Sequence, residues 1–261
     1  MALVIKATNG NGQTIQLTQN SNFQLVAAQG LTPPKSNINT SPLATMDGSM
    51  FNSSKLQNRN IVLLVQPLGE IETNRQLLYQ YFKVKKPVSI EVITKNRDVI
   101  IDGYVEDMQI DLNANPQLVQ ISIICPDPWF INKTATTVNI LGETISAQVN
   151  NPSDDDVGAV FTITMTGSVS EPNIQLNGRM TIEKDFISGN IITIDTRRGK
   201  KSVSYKTDSS SMSSIDLLNY LSPLSNFIML HSGNNWVHKG ADSGVNNMNV
   251  VMVYNSIFEG V

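Results

Sequence analysis

Few side chains in this 261-residue sequence have the type and spacing needed for chemistry. The run Asp154-Asp155-Asp156 could supply oxygen ligands to a hard cation such as Ca²⁺. Neighbouring residues of a strand point in alternating directions, however, and no glutamate follows at the spacing of a known calcium loop. The pattern therefore favours a solvated acidic turn, and we predict no metal ligands in this chain.

Two histidines, His231 and His238, are the only side chains that ordinarily titrate near neutral pH. Ser232 and Asp242 lie close to them in sequence, which would suit a serine, histidine and aspartate arrangement. The Gly-x-Ser-x-Gly turn that places a nucleophilic serine does not occur in the sequence. Packed or hydrogen-bonded histidines are therefore the favoured interpretation.

The single cysteine excludes an internal disulfide and a cysteine zinc cluster. Cys125 ends an apolar run and precedes a proline, so we expect a small buried hydrophobe with no adjacent base to activate it. The sequence has no phosphate-binding loop or dinucleotide fingerprint, and it lacks the paired carboxylates or zinc ligands of a cell-wall hydrolase. We predict that the protein is not an enzyme, with no catalytic residues and no cofactor.

Charge and hydropathy exclude further classes of protein. The formal net charge is −3, and charged residues make up 16% of the chain against a typical share of about 25%. Duplex DNA binding needs a clustered basic surface, so we predict no direct readout of nucleic acid. Apolar runs such as Ile61–Val65 fall far short of the roughly 20 residues that span a bilayer. The N-terminus lacks the pattern of a signal peptide, so we expect a soluble protein made in a cytoplasm and not exported by the general secretory route.

Short β-branched runs bounded by Asn, Gly, Asp, Ser and Pro dominate the sequence and predict a mainly β fold. Turns at Lys95–Asp98 and Asn113–Pro116 separate three runs within residues 86–125, which predicts an antiparallel sheet there. One helix is predicted over Glu70–Lys86, because Leu77, Leu78, Tyr81 and Phe82 form one apolar stripe. Acidic residues at its start and lysines at its end suit the helix dipole.

Residues 30–60 form a polar stretch that is too long for an ordinary connection. Within it, Ser41–Thr45 and Ser49–Ser53 flank Met46-Asp47-Gly48, and Asp-Gly is a strong hairpin signal. A projecting hairpin has unpaired edges that invite strand addition to a neighbouring chain. A mobile surface loop is the alternative.

The pattern of strands predicts two domains. The first covers residues 1–132, and the second covers residues 133–255, where many short strands with Gly and Asn turns are typical of a β-sandwich. We expect residues 256–261 to pack back on the first domain.

The segment Cys125-Pro126-Asp127-Pro128-Trp129-Phe130, after a strand ending Gly103-Tyr104-Val105-Glu106, resembles the distal tail protein (Dit) family of phages. The resemblance continues from Asn60–Gln66 to the ending Tyr254–Val261 and so spans nearly the whole chain. The sequence departs from the family at Leu230–Asn234, where a Pro-Gly-x-Asn turn is more common.

This resemblance implies an N-terminal β-sandwich with one helix and a projecting hairpin, called the belt, followed by a galectin-like β-sandwich. It implies a structural protein that forms a homo-hexameric ring at the distal tail tip and joins the tail tube to the baseplate or adhesion device. Expected partners are the tail tube and tape-measure-associated proteins, the tail-tip or tail-associated lysin and the receptor-binding proteins. The expected location is the virion tail tip or baseplate, after assembly in the host bacterial cytoplasm, or a particle encoded by a prophage.

Two functional hypotheses of different class follow. In the first, the belt clasps the neighbouring subunit of the ring through Ile38, Leu43, Met46 and Phe51. In the second, the protein is a carbohydrate-binding adhesin that uses Trp236 of the galectin-like domain, with neighbouring Asn and His side chains. Trp236 could stack on a sugar ring or pack in the core, and the sequence leaves both open.

Overall fold

The computed structural model describes residues 3–261. Met1 and Ala2, the start of the N-terminal segment that argues against a signal peptide, lie outside the described residues. The chain divides into two compact units: residues up to Lys133 together with Phe258–Val261, and Thr134–Ile257. Whether the predicted domains fold independently stays a prediction.

The first unit contains ten strands and one α-helix within the described residues, and a short eleventh strand from the C-terminus joins its sheet. The elements are β1 (Val4–Asn9), β2 (Thr14–Gln16), β3 (Phe23–Gln29), β4 (Ser36–Pro42), β5 (Ser49–Leu56), β6 (Arg59–Pro67), α1 (Ile71–Tyr81), β7 (Pro87–Ile93), β8 (Asp98–Ile110), β9 (Val119–Cys125) and β10 (Phe130–Asn132).

Nine strands of this unit form one sheet with the central order β2-β1-β7-β8-β9-β6-β3, in which every assigned pairing is antiparallel. Alternation along the strands builds the core: on β6, Ile61, Leu63 and Val65 are fully buried, while the residues between them are partly exposed. Among the strands of residues 3–261, the edge strand β3 pairs only with β6. Strands β4 and β5 form a separate two-stranded sheet.

The helix packs its predicted apolar stripe on this core. Leu78 and Phe82 are buried, and Leu77 and Tyr81 pack beside them. The predicted extent of Glu70–Lys86 is wrong at its C-terminal end, because the helix stops at Tyr81 and the expected terminal lysines lie beyond it. The backbone N–H of Lys85 donates to Val105 of β8, so the chain has left the helix to join the sheet.

The second unit is built from the strands β11 (Thr136–Ile140), β12 (Ser146–Asn151), β13 (Val160–Met165), β14 (Val169–Ser170), β15 (Asn173–Gln175), β16 (Arg179–Thr181), β17 (Asp185–Phe186), β18 (Ile191–Asp195), β19 (Ser202–Lys206), β20 (Ile215–Asp216), β21 (Gly233–Gly240) and β22 (Met248–Tyr254). Two 3₁₀ turns, Leu218–Tyr220 and Val245–Asn247, lie between them. The last strand, β23 (Ile257–Phe258), pairs with β10.

Two main sheets form this unit, with the orders β11-β22-β13-β18-β19-β20 and β12-β21-β15-β16. Both contribute to one core, for example Phe161 and Val250 from the first sheet and Ile174 and Val237 from the second. The buried Lys239 of β21 ties the sheets together, because its Nζ donates to the carbonyls of Gly142 (2.5 Å) and Met248 (2.6 Å). A mainly β fold with one helix and a projecting hairpin is therefore confirmed for the described residues.

No helix within residues 3–261 is long and apolar enough to cross a membrane.

Candidate functional site

The hairpin of β4 and β5 belongs to the first unit, but its side chains are not part of the hydrophobic core of that unit. The strands pair antiparallel from Ser36 opposite Leu56 to Pro42 opposite Ser49, with a bulge after Asn39. The predicted hairpin around Asp47-Gly48 is present, but β4 runs over residues 36–42 instead of 41–45. We call residues 36–56 the arm.

Five large apolar side chains of the arm are exposed. The four residues predicted for the interface, Ile38, Leu43, Met46 and Phe51, are between 42% and 71% exposed. Met50, which the sequence analysis missed, is equally open to solvent. Because Thr40 lies opposite Phe51 and Ile38 lies two residues before Thr40, the side chains of Ile38 and Phe51 share one face.

No residue of β4 or β5 is buried. An isolated two-stranded hairpin is marginally stable in water, since it buries little apolar surface. The cross-strand hydrogen bonds from Asn39 Nδ2 to Ser53 Oγ (3.0 Å) and from Asn52 Nδ2 to Ser41 Oγ (2.7 Å) are exposed and add little. An ordered arm with an exposed apolar face and free backbone edges is suited to docking on another polypeptide.

The base of the arm is fixed by one buried arginine. Arg59 is the first residue of β6, just after the arm, and its Nη1 donates to the carbonyls of Gly30 (2.5 Å) and Thr32 (2.6 Å), which precede β4. Its Nε donates to Pro128 (2.8 Å) and its Nη2 to Glu259 (2.5 Å). The guanidinium therefore joins both ends of the arm to the segment after β9 and to the C-terminal tail.

The guanidinium of Arg59 also lies 4.4 Å from the ring centroid of Phe130, a cation–π contact. Burial lowers the pKa of Arg59 from its ordinary value, yet arginine stays protonated in proteins.

Gly30 also lies at the base of the arm. Its φ is +81°, and a Cβ there would lie 2.1 Å from the carbonyl oxygen of Asn60. Only glycine fits this close approach.

Neither Arg59 nor Gly30 was predicted as a functional residue from the sequence. The sequence contains one signal for each of them. Arg59 is a charged residue directly before a predicted strand, and Gly30 is a glycine at the start of the long polar stretch.

The candidate catalytic side chains do not come together. His231 Nδ1 lies 2.7 Å from Asp156 Oδ2, but the hydroxyl of Ser232 donates to the carbonyl of Ser153 (2.7 Å) and not to a histidine. His238 lies on β21, next to Trp236. No group of three His, Cys, Asp or Glu side chains within residues 3–261 has a metal-site geometry.

Cys125 is fully buried, as expected. Burial raises the pKa of its thiol to about 12, so the thiol stays protonated at neutral pH and lacks the thiolate needed for nucleophilic attack.

Trp236 lies on the solvent side of β21 and is 53% exposed, which excludes the core-packing alternative. Its indole is nearly parallel to the His238 ring, with an interplanar angle of 19° and ring centroids 6.2 Å apart.

The family comparison concerns the second unit. Residues 153–257 match the family model of the siphovirus-type tail component, C-terminal domain. No curated protein sequence matches the chain at a significant level.

Solved structures extend the likeness to the whole chain. The crystal structure of SPP1 Dit, described as a paradigm of the hub adsorption apparatus in phages that infect Gram-positive bacteria, matches with a TM-score of 0.72 and 15% identity over 97% of this chain and 99% of its own. Structures of the phage p2 baseplate in its activated conformation match over the full length of both chains. The form with Ca has a TM-score of 0.53 at 11% identity, and the form with Sr has 0.51 at 10%. The resemblance to the distal tail protein family is confirmed, and at these identities the structural likeness concerns the fold.

Proposed function

We propose that this protein is a structural hub of a phage tail tip or baseplate. The match of residues 153–257 to a siphovirus tail component supports this, together with the full-length likeness to a protein described as a hub of the adsorption apparatus. The hydroxyl of Ser232 donates to a backbone carbonyl and not to a histidine, and the thiol of Cys125 is protonated, so both observations favour a structural role over catalysis.

The exposed arm is the basis of a more specific proposal. In it, six copies form a homo-hexameric ring, and each arm docks on the next copy. A contact between two different surfaces on neighbouring copies of a chain builds a closed ring when each copy is rotated relative to the previous one by a simple fraction of a turn. In this arrangement Ile38, Leu43, Met46 and Phe51 are covered by the neighbour, which removes their apolar surface from water. The free edges of β4 and β5 supply backbone groups for pairing.

The proposed location is the virion tail tip, after assembly in the host bacterial cytoplasm. Proposed partners are the tail tube, tape-measure-associated proteins, the tail-associated lysin and the receptor-binding proteins. The galectin-like description of the second unit belongs to the same proposal.

Removing the arm tests the ring. Asn39–Ser53 is replaced by an Asn-Gly turn, which can join Ile38 to Ser54 because these two residues lie directly opposite each other. We expect the intact protein to form hexamers and the shortened protein to be monomeric at micromolar concentration, since it has lost most of the docking surface. Multi-angle light scattering measures the mass, and circular dichroism verifies that the strands are retained.

The matched control removes two exposed apolar side chains outside the arm, Met212→Ser and Leu224→Ser. This variant should remain hexameric. A shortened protein that still forms hexamers, or an intact protein that stays monomeric, contradicts the arm-mediated ring.

A carbohydrate-binding adhesin is the second candidate function. One observation favours it: the indole of Trp236 is about half exposed and nearly parallel to the ring of His238. Aromatic faces pack well against the apolar face of a sugar ring. We expect binding to saccharides on an array of bacterial surface glycans, and at least a tenfold loss of binding in Trp236→Ala. Equal binding by Tyr220→Ala, a similarly exposed ring elsewhere in the unit, controls for surface effects. Absence of binding, or binding that survives Trp236→Ala, contradicts this function.

A further inference from the structure

Strands β12, β21, β15 and β16 place one residue each in a continuous row on the sheet. Ser146 lies opposite His238, His238 opposite Gln175, and Gln175 opposite Arg179. Opposed residues in antiparallel strands have Cβ atoms about 5 Å apart, so the row extends over roughly 15 Å. His238, Gln175 and Arg179 are exposed, and Ser146 is partly exposed.

Trp236 and Gln148 extend this row on the same face. Trp236 lies two residues before His238 on β21, and Gln148 lies opposite it on β12. The intervening residue Val237 is buried, as the alternation of a strand with one solvated face requires. The sheet therefore displays an indole, an imidazole, two primary amides and a guanidinium within one patch.

We infer that this patch binds an acidic glycan, with a sugar ring on Trp236 and a carboxylate or phosphate substituent at Arg179. This inference rests on the adhesin function proposed above and specifies its ligand. The amides of Gln148 and Gln175 can both donate to and accept from sugar hydroxyls. A guanidinium donates two parallel hydrogen bonds to a carboxylate or phosphate, and this geometry gives it specificity for such groups.

The positive charge of Arg179 is the reason for proposing an acidic ligand. Within the described residues 3–261 its side chain is exposed and takes part in no ion pair. Arg197, in the same unit, instead forms a close pair with Asp195, with Nη2 2.6 Å from Oδ2. Trp236 and Arg179 are separated by one strand, so a ligand that reaches both has about the length of a disaccharide.

Titration with matched saccharides tests the inference. The probes are cellobiose, its acidic counterpart cellobiouronic acid and a glucosyl glycerol phosphate, which distinguish a carboxylate from a phosphate. Trp fluorescence reports binding, because Trp236 is exposed whereas Trp129 is 7% exposed. We expect one of the acidic probes to bind at least tenfold more tightly than cellobiose. Arg179→Gln should remove that difference, so that the ratio of the dissociation constants of cellobiose and the acidic probe falls to about one.

The matched control is Arg198→Gln, an exposed arginine of the same unit, which should retain the preference for the acidic probe. If all three saccharides bind equally and depend on Trp236, the adhesin function stands and the acidic inference fails. If none binds, both fail. Binding of oligothymidylate that depends on Trp236, without saccharide binding, also overturns the inference.

Discussion

Leu78→Asp should unfold the first unit. Leu78 is fully buried and packs with Phe82 against the sheet. Truncating a buried leucine to alanine already costs about 3–5 kcal/mol, and burying an unpaired carboxylate adds to that. The expected loss of at least about 5 kcal/mol is comparable to the whole stability of a typical domain, about 5–15 kcal/mol.

The helix depends on its contacts with the rest of the first unit. It has 11 residues and no side-chain cap at its N-terminus, and isolated helices of this length are marginal in water. Hydrogen exchange measured peptide by peptide separates the two units: protection of β6 and β8 should be lost, and protection of β13 in the other core should remain.

Tyr79→Asp is the matched control, because it places the same charge on the next residue of the same helix, where the side chain is exposed. That variant should keep native protection in both units. Equal protection of β6 in the Leu78→Asp and Tyr79→Asp variants would show that the helix stripe does not stabilise this core.

Much of the fold was predictable from local sequence patterns. Buried residues recur at every second position of a strand and at every third or fourth position of a helix. The turns at Lys95–Asp98 and Asn113–Pro116 lie between β7, β8 and β9, where the polar clusters indicated them. The stripe of Leu78 and Phe82 is buried because side chains three to four residues apart share a helix face. The hairpin was recognisable from Asp47-Gly48, since this dipeptide adopts tight turns.

Contacts between distant segments were beyond prediction from sequence. The helix was expected to continue to Lys86, but Lys85 pairs with Val105, twenty residues later in the chain. The patch on the second unit depends on the order β12-β21-β15-β16, which brings residues 148, 236 and 175 onto one sheet face. No sequence period links positions so far apart.

Arg59 is the clearest example of such a contact, and Arg59→Met is expected to destabilise the first unit strongly. The substitution keeps an apolar stem and removes donors to four carbonyls, those of Gly30, Thr32, Pro128 and Glu259. An unsatisfied buried acceptor costs about 1–3 kcal/mol, and relaxation will satisfy some of the four with water. We therefore expect a loss of about 4 kcal/mol in the free energy of unfolding, measured by hydrogen exchange of the core strand β6.

The same substitution should also loosen the arm. Arg59 joins the segment that enters the arm to the C-terminal tail, so exchange at residues 30–35 and 258–261 should rise more than exchange elsewhere in the unit. Arg59→Lys should rescue little, because one ammonium on a flexible stem cannot reproduce the planar fork that reaches four carbonyls. Arg198→Met removes an exposed arginine and should change stability by less than about 0.5 kcal/mol. If Arg59→Met behaves like Arg198→Met, the four hydrogen bonds contribute nothing net to the fold, and the base of the arm is held by other contacts, such as the backbone hydrogen bond from Gln57 to Lys35.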